Sequence, residues 1–134
     1  MRQFGGHGGS KGLPDYWGVP LMIFIVVKFN VRPEYADEWV DGASEFTRVV
    51  REEPGNLWFE WSRSVENPNQ FVLVEAFRDA QAGSAHVNSE HFKLATAQLP
   101  AMLAETPEII NVEVPGTTWS PMAEMSVPEQ GSGR

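Results

Sequence analysis

The spacing of apolar residues changes along the chain, and each change marks an element. Residues 21–31 are apolar at nearly every position, which predicts a strand covered on both faces. Pro33 stands where a first helical turn tolerates it. Ala36, Trp39, Val40, Ala43, Phe46, Thr47 and Val50 then recur at steps of three and four, with Asp37, Glu38, Asp41, Glu45 and Arg48 off that stripe. This is the pattern of one amphipathic helix, stopped by Pro54-Gly55. Residues 56–65 and 70–78 read as two strands joined by the reversal Glu66-Asn67-Pro68-Asn69, which makes a hairpin. Asp79 is an N-cap candidate for a short helix reaching about Val87, and Asn88-Ser89 breaks it. A second helical piece over 90–104 places Phe92, Ala95, Leu99, Met102 and Leu103 on one side, and Pro100 inside it predicts a kink or an end. Residues 107–114 form the last predicted strand.

The order is β-α-β-β-α-β. Two right-handed crossovers interleaved by a hairpin give an α+β, ferredoxin-like domain, a four-stranded antiparallel sheet with helices on one face. Because the first strand is apolar on both sides, the helix-free face needs cover, and a second copy of the chain is the simplest cover. Phe24, Val26, Val72 and Val74 are expected at that homodimer face. By strand alternation Phe71, Leu73, Glu75 and Phe77 share the other face, under the helices. Glu75 is the anomaly there, since a carboxylate in an apolar strand is costly unless it is paired or protonated.

Composition narrows the function. Of 134 residues, 21% are charged and the net charge is −8. An acidic chain is poorly suited to nucleic acid or to an anionic membrane surface. There is no cysteine, so thiol catalysis, disulfides and Cys-based zinc sites are excluded. No apolar run has the length of a bilayer span, and the expected location is cytoplasmic. Residues 1–20 and 116–134 are rich in Gly and Pro and read as a flexible leader and a tail around a domain at 21–115. Trp17 and Trp119 are candidate anchors for docking these ends.

Glu75 needs a partner, and His86 and His91 are the candidates. A buried Glu beside a His shifts both pKa values, which is one way to set up a base near neutral pH. A purely structural hydrogen bond is the other reading. The two histidines are five apart across a break, not three or four apart on one helical face, so no metal site is expected. Trp58, Phe59, Trp61, Phe71 and Phe77 crowd one hairpin, and as a group they suit a flat aromatic ligand.

Three segments resemble the antibiotic biosynthesis monooxygenase domain family, on its quinol-monooxygenase and autoinducer-processing branch. They are Glu-Glu-Pro-Gly-Asn-Leu-Trp-Phe-Glu at 52–60, Val-Glu-Ala-Phe-Arg-Asp at 74–79 and Ala-His-Val-Asn-Ser-Glu-His-Phe at 85–92. The resemblance implies a dimeric α+β barrel with a pocket in each subunit between sheet and helices. It implies oxidation of a quinol or polycyclic phenol by O2 with no cofactor. Catalysis would then fall to His86, Glu75 and His91, with Phe59, Trp61, Leu73, Phe77, Asn88 and Phe92 around the substrate. Phe77 and Leu73 replace the Trp and Asn of polyketide-oxidising members, and Val27 and Phe77 replace residues of the haem-degrading set. Isomerisation of a small phosphorylated dicarbonyl is the alternative reaction, with Arg63, Arg78 and Lys93 as the nearby cations, and a non-catalytic dimeric binding module is the third reading.

Overall fold

The computed structural model describes residues 18–129. Four strands, β1 (Leu21–Asn30), β2 (Asn56–Arg63), β3 (Gln70–Phe77) and β4 (Glu108–Pro115), form one sheet in the order β2-β3-β1-β4. Every neighbouring pair is antiparallel. The two crossovers are helical. The first holds a 3-10 turn (Pro33–Glu38), α1 (Trp39–Gly42) and α2 (Ser44–Arg51). The second holds α3 (Ala80–Val87), α4 (Glu90–Gln98) and a 3-10 turn (Leu99–Met102). This is the expected ferredoxin-like arrangement, with β1 and β3 central.

Strand register fixes which side chains face the helices. Ile25 lies opposite Glu75, and Glu75 opposite Phe59, so the three share one face across three strands. Ile23, Ile25, Val27, Phe59, Leu73 and Phe77 on this face join Val50 and Ala82 from the helices in one buried core. A second core gathers Trp39, Phe71, Val31 and Ala36 at the other end. At about 25 cal/mol per Å² of apolar surface, such burial is the main driving force for folding. Arg51 ties α2 to edge strand β2 by donating from Nε and a terminal nitrogen to the Phe59 carbonyl, at 3.0 and 2.8 Å.

The first helical stretch differs from its expected form. The stripe from Ala36 to Val50 is not one helix, because it breaks at Gly42-Ala43 and begins as a 3-10 turn. The Ser44 hydroxyl donates to the Asp41 carbonyl and supports the corner. Trp39, Ala43 and Val50 still point inward, but Val40 is exposed. Other features meet expectation closely. Asp79 caps α3 by accepting from the Ala82 amide at 2.8 Å, and the break at Asn88-Ser89 also holds a cap that was not expected, since Ser89 accepts from the Phe92 amide at the start of α4. Pro100 falls where α4 gives way to the 3-10 turn.

The helix-free face carries Phe24, Val26, Val72 and Val74, all half-buried, beside Ile110 at 66% and Val112 at 37% exposure. After β4 the chain turns at Gly116, whose positive φ suits glycine, and Trp119 comes to rest against Trp58 of the same face, ring centroids 5.3 Å apart. Trp17 lies outside the described residues. No helix among them is long and apolar enough to cross a membrane.

Candidate active site

A cavity of about 310 Å³ opens between the sheet and the second crossover. Val27, Leu73, Trp61 and Ile109 supply its floor from all four strands. Phe46 of α2 and Phe92 of α4 form part of the opposite wall, and Leu99, Pro100 and Leu103 close one end. Among the residues that wall it, only Glu75, His86, Thr96 and Trp61 carry polar side-chain atoms, and none is Lys or Arg. The Trp61 indole is already committed, donating to the Thr47 hydroxyl at 2.9 Å.

Glu75 and His86 meet at this wall. Glu75 is 6% exposed and His86 is 4% exposed. Strand alternation turns Glu75 up from β3, and the Asp79 cap sets α3 so that His86, seven residues on, folds back over it. The Oε1 atom of Glu75 and the Nε2 atom of His86 are 3.9 Å apart. That is beyond a hydrogen bond, and Glu75 Oε1 is buried without a partner. Burial pushes the Glu75 carboxyl up to about 8, helped by the nearby negative charge of Glu53. Glu75 is therefore a neutral carboxylic acid at neutral pH, able to donate a hydrogen bond. Burial lowers the His86 pKa from its usual 6.5, while Glu53 opposes that shift through a hydrogen bond and its charge. The Phe77 ring packs on the imidazole at 4.6 Å and Phe92 meets it edge-on at 5.1 Å.

Glu53 is the residue that sequence reasoning missed. One of its carboxylate oxygens, Oε2, lies 2.9 Å from His86 Nδ1 and 2.5 Å from His91 Nε2. The Pro54-Gly55 turn delivers it there. The Asn56 amide donates back to the Glu53 carbonyl at 3.0 Å, and Gly55 lies so close to α3 that a Cβ on it would stand 2.2 Å from the Ala82 Cβ. The signal in the sequence was the Glu-Glu-Pro-Gly run itself, a carboxylate at the mouth of a turn, but its partners lie 33 and 38 positions away.

The remaining expected site residues divide in two. Trp61, Leu73 and Phe92 line the cavity. Phe59 and Phe77 lie behind the wall as buried supports, Phe59 against Phe46 and Phe77 under His86. His91 stands outside the cavity, and its link to His86 runs through Glu53. Asn88 is also outside it and faces its own helix, where its amide donates to the Ser84 carbonyl at 2.9 Å. Asn88 follows the last turn of α3, and its side-chain amide shares the Ser84 carbonyl with its own backbone N–H, which donates to the same oxygen at 3.1 Å.

The fold and the site together define an α+β domain with a mostly apolar cavity and one buried acid–imidazole pair. The profile of the antibiotic biosynthesis monooxygenase family matches residues 22–98, and the chain belongs to that family. Its curated relatives carry two kinds of name. An isomerase of (4S)-4-hydroxy-5-phosphonooxypentane-2,3-dione from Klebsiella pneumoniae is 29% identical over 60% of this chain and 82% of its own length. YcnE of Bacillus subtilis, provisionally named a monooxygenase, is 26% identical over 69% of this chain and 98% of its own. The crystal structure of a conserved protein from Methanosarcina mazei Go1 superposes with a TM-score of 0.66 at 26% identity, covering 72% of this chain and 96% of that one.

Proposed function

We propose that the chain is a monooxygenase that oxidises a quinol or polycyclic phenol with O2, with His86 as proton acceptor and Glu75 as hydrogen-bond donor to the same substrate oxygen. The observation that carries this reading is the 3.9 Å gap between Glu75 Oε1 and His86 Nε2 at the wall of a cavity without a cation. A hydroxyl oxygen about 2.8 Å from each atom closes that triangle with ordinary hydrogen-bond lengths. His86, held neutral by its burial, takes the hydroxyl proton on Nε2. The neutral Glu75 acid donates to the oxyanion left behind, at a cavity wall whose apolar lining strengthens such a hydrogen bond. The phenolate is electron-rich enough at its ring carbons to reduce O2 directly. One atom of O2 becomes a new ring carbonyl in place of a C–H, the other leaves as water, and the four electrons come from the substrate ring.

The curated isomerase relatives support a second reading, in which the same pair moves a proton between the carbons of a phosphorylated dicarbonyl. The cavity chemistry weighs against it, since a phosphate is ordinarily met by Arg, Lys or a cluster of backbone amides. A homodimer formed through the helix-free sheet face, Phe24, Val26, Val72 and Val74 included, belongs to the same proposal. Its support is the exposed apolar surface at Ile110 and Val112.

The test is oxygen uptake with a panel of quinols and polycyclic phenols, run beside the phosphorylated dicarbonyl. One oxygen consumed per quinol converted is the expected result. His86→Ala should slow it by roughly a hundredfold or more, the scale for losing a general base. Turnover of the dicarbonyl with no oxygen consumed by any quinol would give the site to the isomerase instead.

A further inference from the structure

A histidine can serve the cavity as a base only if its bare nitrogen faces the cavity, and nothing in the cavity itself sets that tautomer. We propose that Glu53 is the positioning residue that sets it, holding the proton of His86 on Nδ1 and leaving Nε2 free towards Glu75. This inference rests on the role of His86 as proton acceptor.

The geometry argues for it in three steps. A carboxylate oxygen only accepts hydrogen bonds. Glu53 Oε2 therefore takes the N–H of His86 Nδ1 at 2.9 Å and the N–H of His91 Nε2 at 2.5 Å. Each ring is fixed in one tautomer, and the tautomer of His86 is the one that aims a lone pair at the gap beside Glu75. The arrangement also runs from inside to outside. His86 is 4%, Glu53 14% and His91 24% exposed by side chain. His91 thus braces the carboxylate from the solvent side and leaves the inner contact undisturbed. The three groups come from the turn after α2, from α3 and from α4, so their meeting depends on the helix layer being assembled.

The same three side chains are also a candidate metal set, their ligand atoms lying within 4.8 Å of one another. The spacings favour hydrogen bonds. Bonds of about 2.05 Å to a tetrahedral zinc would set ligand atoms about 3.3 Å apart. The two contacts to Glu53 Oε2, at 2.9 and 2.5 Å, are shorter than that and fall where protons are shared.

The test reads the tautomer directly. In the full chain labelled with 15N-histidine, long-range nitrogen–proton correlation spectra at neutral pH should show His86 protonated on Nδ1 and bare on Nε2. Glu53→Gln keeps an oxygen acceptor and should keep that pattern. Glu53→Met has similar size but no acceptor, and should give a mixture of tautomers with kcat lower by roughly a hundredfold and KM little changed, since Glu53 does not line the cavity. A proton found on Nε2 in the unsubstituted protein overturns the inference with no variant needed. So does a loss of kcat in Glu53→Met with the tautomer unchanged. Loss of both ring N–H signals on one equivalent of Zn2+ would make the cluster a metal centre and overturn it as well. The expected tautomer together with no oxygen uptake on any quinol would uphold the positioning by Glu53 and reject the oxidation.

Discussion

At the scale of single residues, Glu75 and His86 make stability depend on pH in opposite directions. In the unfolded chain Glu75 ionises near its ordinary 4.5, and in the fold it holds its proton to about 8. Below the lower value both states keep the proton. As pH rises through that window the unfolded chain releases a proton that the folded chain retains, so folded stability falls. His86 runs the other way, because the unfolded ring binds a proton near 6.5 and the buried ring resists it. Its contribution rises with pH and is complete above that value. The two slopes oppose each other on the acid side, and only that of Glu75 acts between about 6.5 and 8. Thermal melts should therefore show a fall in Tm across this upper interval. Glu75→Gln keeps the shape, removes the charge, and should abolish the fall. A Glu75→Gln melting profile parallel to that of the unsubstituted protein would show that the carboxyl is not held neutral.

At the scale of elements, the approach of the Pro54-Gly55 turn to α3 governs the site. Gly55 is needed there for room, since a Cβ would stand 2.2 Å from that of Ala82. Gly55→Ala must push the turn and the helix apart, at a cost of about 1–3 kcal/mol for such overpacking. It should also part Glu53 from His86. Ala82→Gly in the same chain should recover much of the lost stability, and a double-mutant cycle on Tm and denaturant midpoint measures the coupling. Removing the α3 cap with Asp79→Ala should cost about 1 kcal/mol. These elements were unevenly legible in the sequence. The cap at Asp79, the break at Asn88-Ser89, the hairpin, and the inward parity of Glu75 follow from local rules, where each signal lies within a few residues of its effect. The break at Gly42 was hidden because an apolar stripe looks alike in a straight helix and in two shorter ones that share a face. The Glu53 contact was hidden for a different reason. It joins a turn to two helices far along the chain, and no periodicity encodes such a meeting.

At the scale of the whole molecule, the two sides of the sheet differ in how well the single chain covers them. The helix side is filled by Trp39, Phe59, Phe71 and Phe77, all essentially inaccessible. The other side leaves Ile110 and Val112 in contact with water. Light scattering at micromolar concentration should return twice the 15.0 kDa chain mass, and Val74→Lys, a charge placed on this face of β3, should halve it while leaving the helix-side core intact. A stable monomer before substitution would show that the sheet face is left uncovered.

The rest position of Trp119 has an optical consequence. Its indole and that of Trp58 lie 5.3 Å apart at an interplanar angle of 44°, close enough and sufficiently crossed for their electronic transitions to mix. Such a pair gives a two-signed circular dichroism band that neither ring gives alone. Trp39 and Trp61, at 5.8 Å and 84°, form a second pair inside the core. Difference spectra of Trp119→Phe therefore isolate a signal from the sheet side alone. That signal offers a label-free readout of whatever comes to lie against this face, as protein concentration or ligand is varied.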